Sequence, residues 1–469
     1  VLIREGLLAL PGREGLLRAD LLVRGERIAA IGQDLPCPEG ETTLDARGLL
    51  VFPAAIDPHV HFDEPGFTWR EDFLHGTAEA ARGGVGTIID MPCTSLPPVT
   101  TAEALENKLA AVAGKALVDF AFFGGVSGAS VEEALSGSMA ALAPKVVGFK
   151  SYFISGMESF TSLNHDDFPR VLAEAARLGR PLLLHAEDLD FVRSAEARYA
   201  KQRASTGRAP SWEDYLSSRG REAELVAVAS ALALARAAGA AAALHVVHLG
   251  TAEAALAIHE AGATCETCAH YLAFTGADYE RLGAALKTAP PVKSAADREG
   301  LWGHLASGAV DFLASDHAPA PRSEKETGDP LTAYGGIPGT GTGFPFLLSE
   351  GYFAGRLALP RFLEASSGAA ARRYGLSARK GALAVGMDAD FVLVDPSETT
   401  VVEGAGLFSL GRVTPFEGMR LKGRVRGTWV RGTRVYDAGA DSGIRGPTGL
   451  PSSIVASPGH GKFLSWGYR

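Results

Sequence analysis

Residues 51–61 read Val51-Phe52-Pro53-Ala54-Ala55-Ile56-Asp57-Pro58-His59-Val60-His61, an apolar run that ends on two histidines. Side chains alternate along a strand, so His59 and His61 share a face where the strand stops. The apolar character before them suits a strand covered on both faces, as in a parallel sheet. Similar runs follow at Val85–Met91, Leu117–Gly124, Val146–Phe153, Pro181–Ala186, Leu244–Leu249, Ala263–Cys268 and Val310–Asp316. Between them lie Ala-, Leu- and Glu-rich segments of helical composition, among them Thr101–Ala113, Phe168–Leu178 and Glu222–Ala238. Strand and helix in regular alternation predict an α/β fold, a (β/α)8 TIM-like barrel. A doubly wound open sheet is the architectural alternative.

The two ends read differently. Leu21–Ile31 and Glu41–Leu50, then Ala389–Val394 and Leu421–Val435, have the composition of strands divided by turns. Neither end is long enough to stand alone, so the two are expected to pair into one small β-sandwich domain. This division gives residues 1–53 and 381–437 to the β domain, 54–380 to the barrel, and 438–469 to an arm rich in Gly, Ser and Pro, lying over the surface or a neighbouring subunit.

A chain of 469 residues accommodates a barrel and a smaller companion. The net charge of -9 is spread without single-sign blocks, which argues against nucleic acid or an anionic membrane surface and for small-molecule partners. Four scattered cysteines make no disulfide framework, no signal-peptide pattern opens the chain, and the Ala-rich run Leu225–Val247 is broken by Arg236 and Gly239. A cytoplasmic location is expected.

The chemistry lies at the strand ends. His185 closes Pro181–His185, His248 closes His245–His248, and Asp316 closes Phe312–Asp316, each a polar group where barrel enzymes build their sites. One HxH pair is a weak motif, but His59, His61, His185, His248 and Asp316 on one rim point to a metal. His245 and His248 are three apart, so strict alternation turns one of them outward; His248 is taken as the inward residue and His245 as packed against the outer helices. His317 faces away by the same rule. Lys150 follows Val146-Val147-Gly148-Phe149 and would project into this cationic cavity. Burial beside cations favours its neutral amine, which can add carbon dioxide to become a bridging carbamate; a lysine paired with a carboxylate is the alternative. Cys265 and Cys268 lie on a barrel strand and are expected to pack in the core. Gly335–Gly341 fits neither phosphate-binding pattern and is expected to be an active-site loop.

Taken together, these stretches resemble the amidohydrolase superfamily and its cyclic amidases: allantoinase, hydantoinase or dihydropyrimidinase, and dihydroorotase. The resemblance rests on Asp57–His61, Asp90-Met91-Pro92, Val147–Lys150, His185-Ala186-Glu187, His245–Leu249, Ala289-Pro290-Pro291 and Ser315–Pro319. It implies two divalent metal ions, usually zinc. One would be held by His59, His61, Lys150 and Asp316, the other by the carbamate of Lys150 with His185 and His248. It further implies attack of a metal-activated hydroxide on a ring carbonyl, with Asp316 moving the proton, and assembly into homo-oligomers, tetramers or dimers. Some relatives keep the fold and lose the ligands to serve as scaffolds, whereas all six ligand positions are filled here.

Loop residues divide the group. Dihydroorotases place an arginine at position 63 to hold a substrate carboxylate, and Asp63 would repel it. Allantoinases resemble the chain at Glu64-Pro65-Gly66, Glu266-Thr267-Cys268 and Tyr334–Ile337, but typically carry asparagine where Asp63 and Thr94 stand. Hydantoinases resemble it at Phe149-Lys150-Ser151 and Lys287–Val292; Tyr152 differs in spacing from their oxyanion-stabilising tyrosine. The resemblance favours an allantoinase-like hydrolase of a cyclic ureide, then a hydantoinase, then a dihydroorotase. Asp63, Thr94, Thr288, Gly335 and Gly336 are its candidate substrate contacts.

Overall fold

Five strands precede the barrel in the computed structural model, which describes residues 1–443, 445 and 448–469. They are β1 (Leu2–Leu8), β2 (Leu17–Arg24), β3 (Arg27–Gly32), β4 (Thr43–Asp45) and β5 (Leu50–Pro53). The barrel strands are β6 (Ala55–Val60), β7 (Val85–Asp90), β8 (Asp119–Phe122), β9 (Gly124–Gly125), β10 (Phe149–Tyr152), β11 (Leu182–His185), β12 (Leu244–Val246), β13 (Thr264–Cys268) and β14 (Phe312–Ala314). Three strands follow: β15 (Phe391–Val401), β16 (Arg420–Val430) and β17 (Thr433–Asp437).

All barrel pairings are parallel, and the order runs β6-β7-β8, then β9-β10-β11-β12-β13-β14. One expected strand, Leu117–Gly124, is thus split: β8 pairs with β7 while β9 pairs with β10. The split has a packing reason. A Cβ on Gly125 would lie 2.5 Å from the ring of Phe160, so only bare backbone lets that ring close over β9. The barrel closes between β14 and β6 through backbone bonds, His61 N–H donating to His317 O at 2.7 Å and His317 N–H to His59 O at 3.3 Å.

Several helices pack on the barrel through one apolar stripe. In Asp167–Arg177 the buried residues are Phe168, Val171, Leu172 and Ala175, the one-face spacing of a helix. Burial of each large side chain contributes about 1.5–3 kcal/mol. Ala102–Val112 starts where Thr101 Oγ1 accepts the Ala104 amide at 3.2 Å. Thr101→Ala would remove that cap at a cost of about 1 kcal/mol. Among the described residues no helix is long and apolar enough to cross a membrane.

The terminal strands join in one hydrogen-bonded sheet, β17-β16-β15-β5-β1-β2-β3, with β4 beside β1 and a core of its own that includes Ile3, Leu21, Val51, Phe391 and Trp429. Strand β1 was not among the expected strands. Its alternation is interrupted by Arg4-Glu5, where Glu5 takes a left-handed φ of 53° and the register shifts. The arm, three residues of which (444, 446 and 447) lie outside the described residues, returns to its own barrel: Phe463 bridges Phe120, and Leu464 is fully buried. The Lys380 ammonium ties sheet to barrel, 2.5 Å from Asp119 Oδ2, 2.6 Å from Asp390 Oδ2 and 3.0 Å from Asp388 Oδ2. A cation therefore already stands among these acids.

Candidate metal centre

Beyond the carboxyl ends of the strands the chain leaves its ladders, and three residues there take left-handed backbone: Asp63 (φ 48°), His248 (φ 40°) and Asp316 (φ 49°). Such conformations are uncommon without glycine and re-aim the side chain. At His248 they undo the alternation argument. Strand β12 ends at Val246, and His245 and His248 both reach the barrel interior. His245 is not against the outer helices: its ring stacks on Phe312 at 5.2 Å, and Nε2 lies 3.3 Å from Glu266 Oε2.

The sequence-derived candidates converge. His59 Nε2 and His61 Nε2 lie 3.3 Å and 3.4 Å from Asp316 Oδ1, and His185 Nδ1 faces His248 Nε2 at 3.1 Å. The His59 and His248 ring centroids are 5.3 Å apart. Lys150 Nζ is buried with no hydrogen-bond partner among the described residues, 4.8 Å from the Tyr152 ring centroid. Burial brings the Lys150 pKa down to about 8, against the pull of nearby anionic groups, and the same burial keeps His59, His185 and His248 neutral. Burial would raise the Asp316 pKa, but the hydrogen bond from His61 and the neighbouring imidazole dipoles hold it well below the ordinary carboxylate range.

The far nitrogens show which lone pairs are free. His59 Nδ1 donates to Glu266 Oε1 at 2.5 Å, a tautomer assigned from the shorter contact, which leaves Nε2 as a bare lone pair facing the Asp316 carboxylate. His185 Nε2 donates to Glu187 Oε2 at 3.0 Å, and Arg219 donates to the same oxygen at 2.6 Å. Lone pairs aimed at lone pairs repel unless a cation stands between them. The residues present thus fit divalent metal, with His59, His61 and Asp316 forming one compact donor group.

Around this centre opens a cavity of about 830 Å³. Thr94 and Gly335 line it; Asp63, Thr288 and Gly336 are buried and do not. Among the described residues neither Asp63 oxygen has a hydrogen-bond partner, and burial raises its pKa to about 7. Thr288 Oγ1 donates to Pro290 O at 2.9 Å, and Gly336 sits so close to Ala318 that a Cβ would lie 2.3 Å from the Ala318 carbonyl oxygen. Tyr152 lines the cavity, its ring stacked on His185 at 5.2 Å and its hydroxyl 2.9 Å from Cys93 Sγ. Cys265 and Cys268 are free and buried. His317 is buried, donating to Glu71 Oε2 at 3.2 Å and accepting the Gly339 amide at 3.1 Å.

Sequence reasoning did not find the roles of Glu266, Glu187 and Arg219. The signal for Glu266 was there: an acid inside a buried strand needs a partner. Nor did it find the helix Leu189–Thr206, which brings Arg193, Glu196 and Arg203 to the cavity. Only Val192 and Ala195 of that helix are buried, too few to mark an apolar stripe.

Comparison with known proteins bears on this geometry. Residues 50–435 match the Amidohydrolase family. The chain is 40% identical over 444 residues to an allantoinase of Rubrobacter xylanophilus, covering 93% of this chain and 94% of that one. It is 37% identical over 462 residues to an allantoinase of Deinococcus radiodurans, covering 97% and 99%. Its structure is similar to the L-hydantoinase (dihydropyrimidinase) of Arthrobacter aurescens, with a TM-score of 0.88, 31% identity and 99% of each chain covered.

Proposed function

This chain belongs to the amidohydrolase family, and we propose that it hydrolyses the cyclic amide bond of a ureide or hydantoin-like ring, with allantoin the favoured substrate. The observation that carries the reading is the meeting of His59, His61, His185, His248 and Asp316 in the lining of one cavity, with Lys150 buried beside Tyr152 of the same lining. Identity to allantoinases over more than nine-tenths of the chain supports the choice of ring.

In this reading His59, His61 and Asp316 would hold one divalent ion, zinc by preference, and His185 and His248 a second, with Lys150, as its carbamate, contributing to both sites. Bound metal would supply a water acidic enough to attack at neutral pH and would polarise the carbonyl. Asp316, held ionised, would accept a proton from the water that attacks the ring carbonyl carbon. The ring C–N bond then breaks, and Asp316 returns the proton to the leaving nitrogen, giving a carboxylate and an open ureido chain. Glu266 and Glu187 fix the tautomers and directions of His59 and His185. The protein is further proposed to be cytoplasmic and a homo-oligomer, dimer or tetramer, which light scattering of the purified protein tests.

A hydantoin or dihydropyrimidine ring is the second reading, because Asp63 and Thr94 stand where allantoinases typically carry asparagine. Specificity constants for allantoin, hydantoin, dihydrouracil and dihydroorotate on zinc-loaded protein decide between them. Allantoin is expected to lead. A leading hydantoin or dihydrouracil moves the assignment to the second reading, and hydrolysis of none overturns both.

A further inference from the structure

We propose that Lys287 and Lys325 act together as a cationic clamp that holds segment 331–336 as a wall of the cavity, and so set how tightly substrate is held rather than how fast it is cleaved. The proposal rests on the cyclic-amidase reading only for the substrate used to observe it.

Lys325 is buried, and its Nζ donates to three backbone carbonyls: Gly336 at 2.7 Å, Tyr334 at 2.9 Å and Lys287 at 3.3 Å. Lys287 Nζ donates to Ala333 O at 2.6 Å and Leu331 O at 3.0 Å, and lies 4.8 Å from the Tyr215 ring centroid. Neither ammonium has a carboxylate within ion-pair distance among the described residues; carbonyl dipoles stand in place of a counter-ion. Four of the five carbonyls belong to one six-residue segment, whose backbone is further tied by Tyr334 N–H to Glu324 O at 2.8 Å and Gly336 N–H to Lys287 O at 2.9 Å.

That segment fronts the candidate site. Leu331, Tyr334 and Gly335 line the cavity, as does Lys287 itself. Neither lysine belongs to the metal-binding set or reaches the reacting atoms, so both are positioning residues. Loss of either would let carbonyls turn outward and the wall slacken, weakening binding in ground and transition states alike.

Burial without a counter-charge brings Lys325 to about 7 and Lys287 to about 8. Lys325 is faced by Lys287; Lys287 is faced by Arg219, which lowers it, and by Asp329 and Glu196, which raise it. A neutral amine has two hydrogens, and Lys325 faces three carbonyls. Deprotonation therefore leaves one carbonyl against a lone pair, and the clamp weakens as pH rises.

The test uses full-length, zinc-loaded protein with allantoin, or whichever of the four rings it hydrolyses, and the variants Lys325→Met and Lys287→Met. At neutral pH each is expected to raise KM roughly tenfold with kcat changed by less than about twofold. Wild-type KM should rise between about pH 6.5 and about pH 9, and Lys325→Met should flatten that rise. Should Lys325→Met fail to fold, Lys287→Met and amide hydrogen exchange of wild-type segment 331–336 decide the matter. Protection corrected for intrinsic exchange is expected to fall toward high pH. An unchanged KM in the variants, a loss confined to kcat, or pH-independent protection overturns the clamp. If no ring is hydrolysed the activity reading fails, and the exchange measurement still decides the clamp alone.

Discussion

Glu266, on β13, accepts a hydrogen bond from His59 Nδ1 at 2.5 Å, and His59 lies on β6, more than two hundred positions earlier in the chain. Its other oxygen lies 3.3 Å from Nε2 of His245. One buried carboxylate thereby orients a candidate ligand and accounts for the second histidine of His245–His248. Glu266→Gln removes the acid and keeps the shape. It is expected to weaken metal binding about tenfold or more, as partners behind metal ligands do. Chelator competition on wild type and variant measures this, and equal midpoints would remove Glu266 from the centre.

Lys150→Ala should empty one or both metal positions and abolish turnover, because the proposed carbamate would be lost while two cations would still repel each other. Elemental analysis of the purified variant reads this out. Two metals per chain with normal turnover would show that Lys150 is no ligand.

Asp316→Asn should keep much of the metal while turnover falls at least about a hundredfold, since an amide cannot carry the proton that general acid–base catalysis moves. Paired metal content and kcat separate this from a binding defect. Turnover near wild type would take Asp316 out of the proton path.

Asp63 is buried and outside the cavity lining, its carboxylate without a hydrogen-bond partner among the described residues. Neutral ureides should be preferred over dihydroorotate by at least about tenfold in kcat/KM, and Asp63→Arg should narrow that ratio. A dihydroorotate preference in the wild type would contradict this.

Lys380→Met leaves Asp119, Asp388 and Asp390 buried around an absent ammonium. A loss of about 3–5 kcal/mol is expected from breaking such a cluster on one side. Urea unfolding of both proteins measures it, and an unchanged midpoint would show that the three acids are held without Lys380.

What the sequence by itself determined is local and periodic. Eight apolar runs set between helical segments define the barrel, because a doubly covered strand must be apolar along its whole length. Polar groups at the tips of those runs, such as His185 after Leu182-Leu183-Leu184, stand out because burying them is costly without a partner. What only the tertiary structure decided depends on backbone leaving its regular path and on residues far apart in the chain. The left-handed turn at His248, just past β12, turns it inward as well as His245 of the strand, against the alternation of a strand. Glu5 hides β1 by the same kind of irregularity. Glu266 meets His59 only because the barrel closes, and Lys325 meets Gly336 only because a loop folds back on its own carbonyls. Periodicity records which face of an element is covered, whereas these contacts are set by packing between elements, which has no period to read.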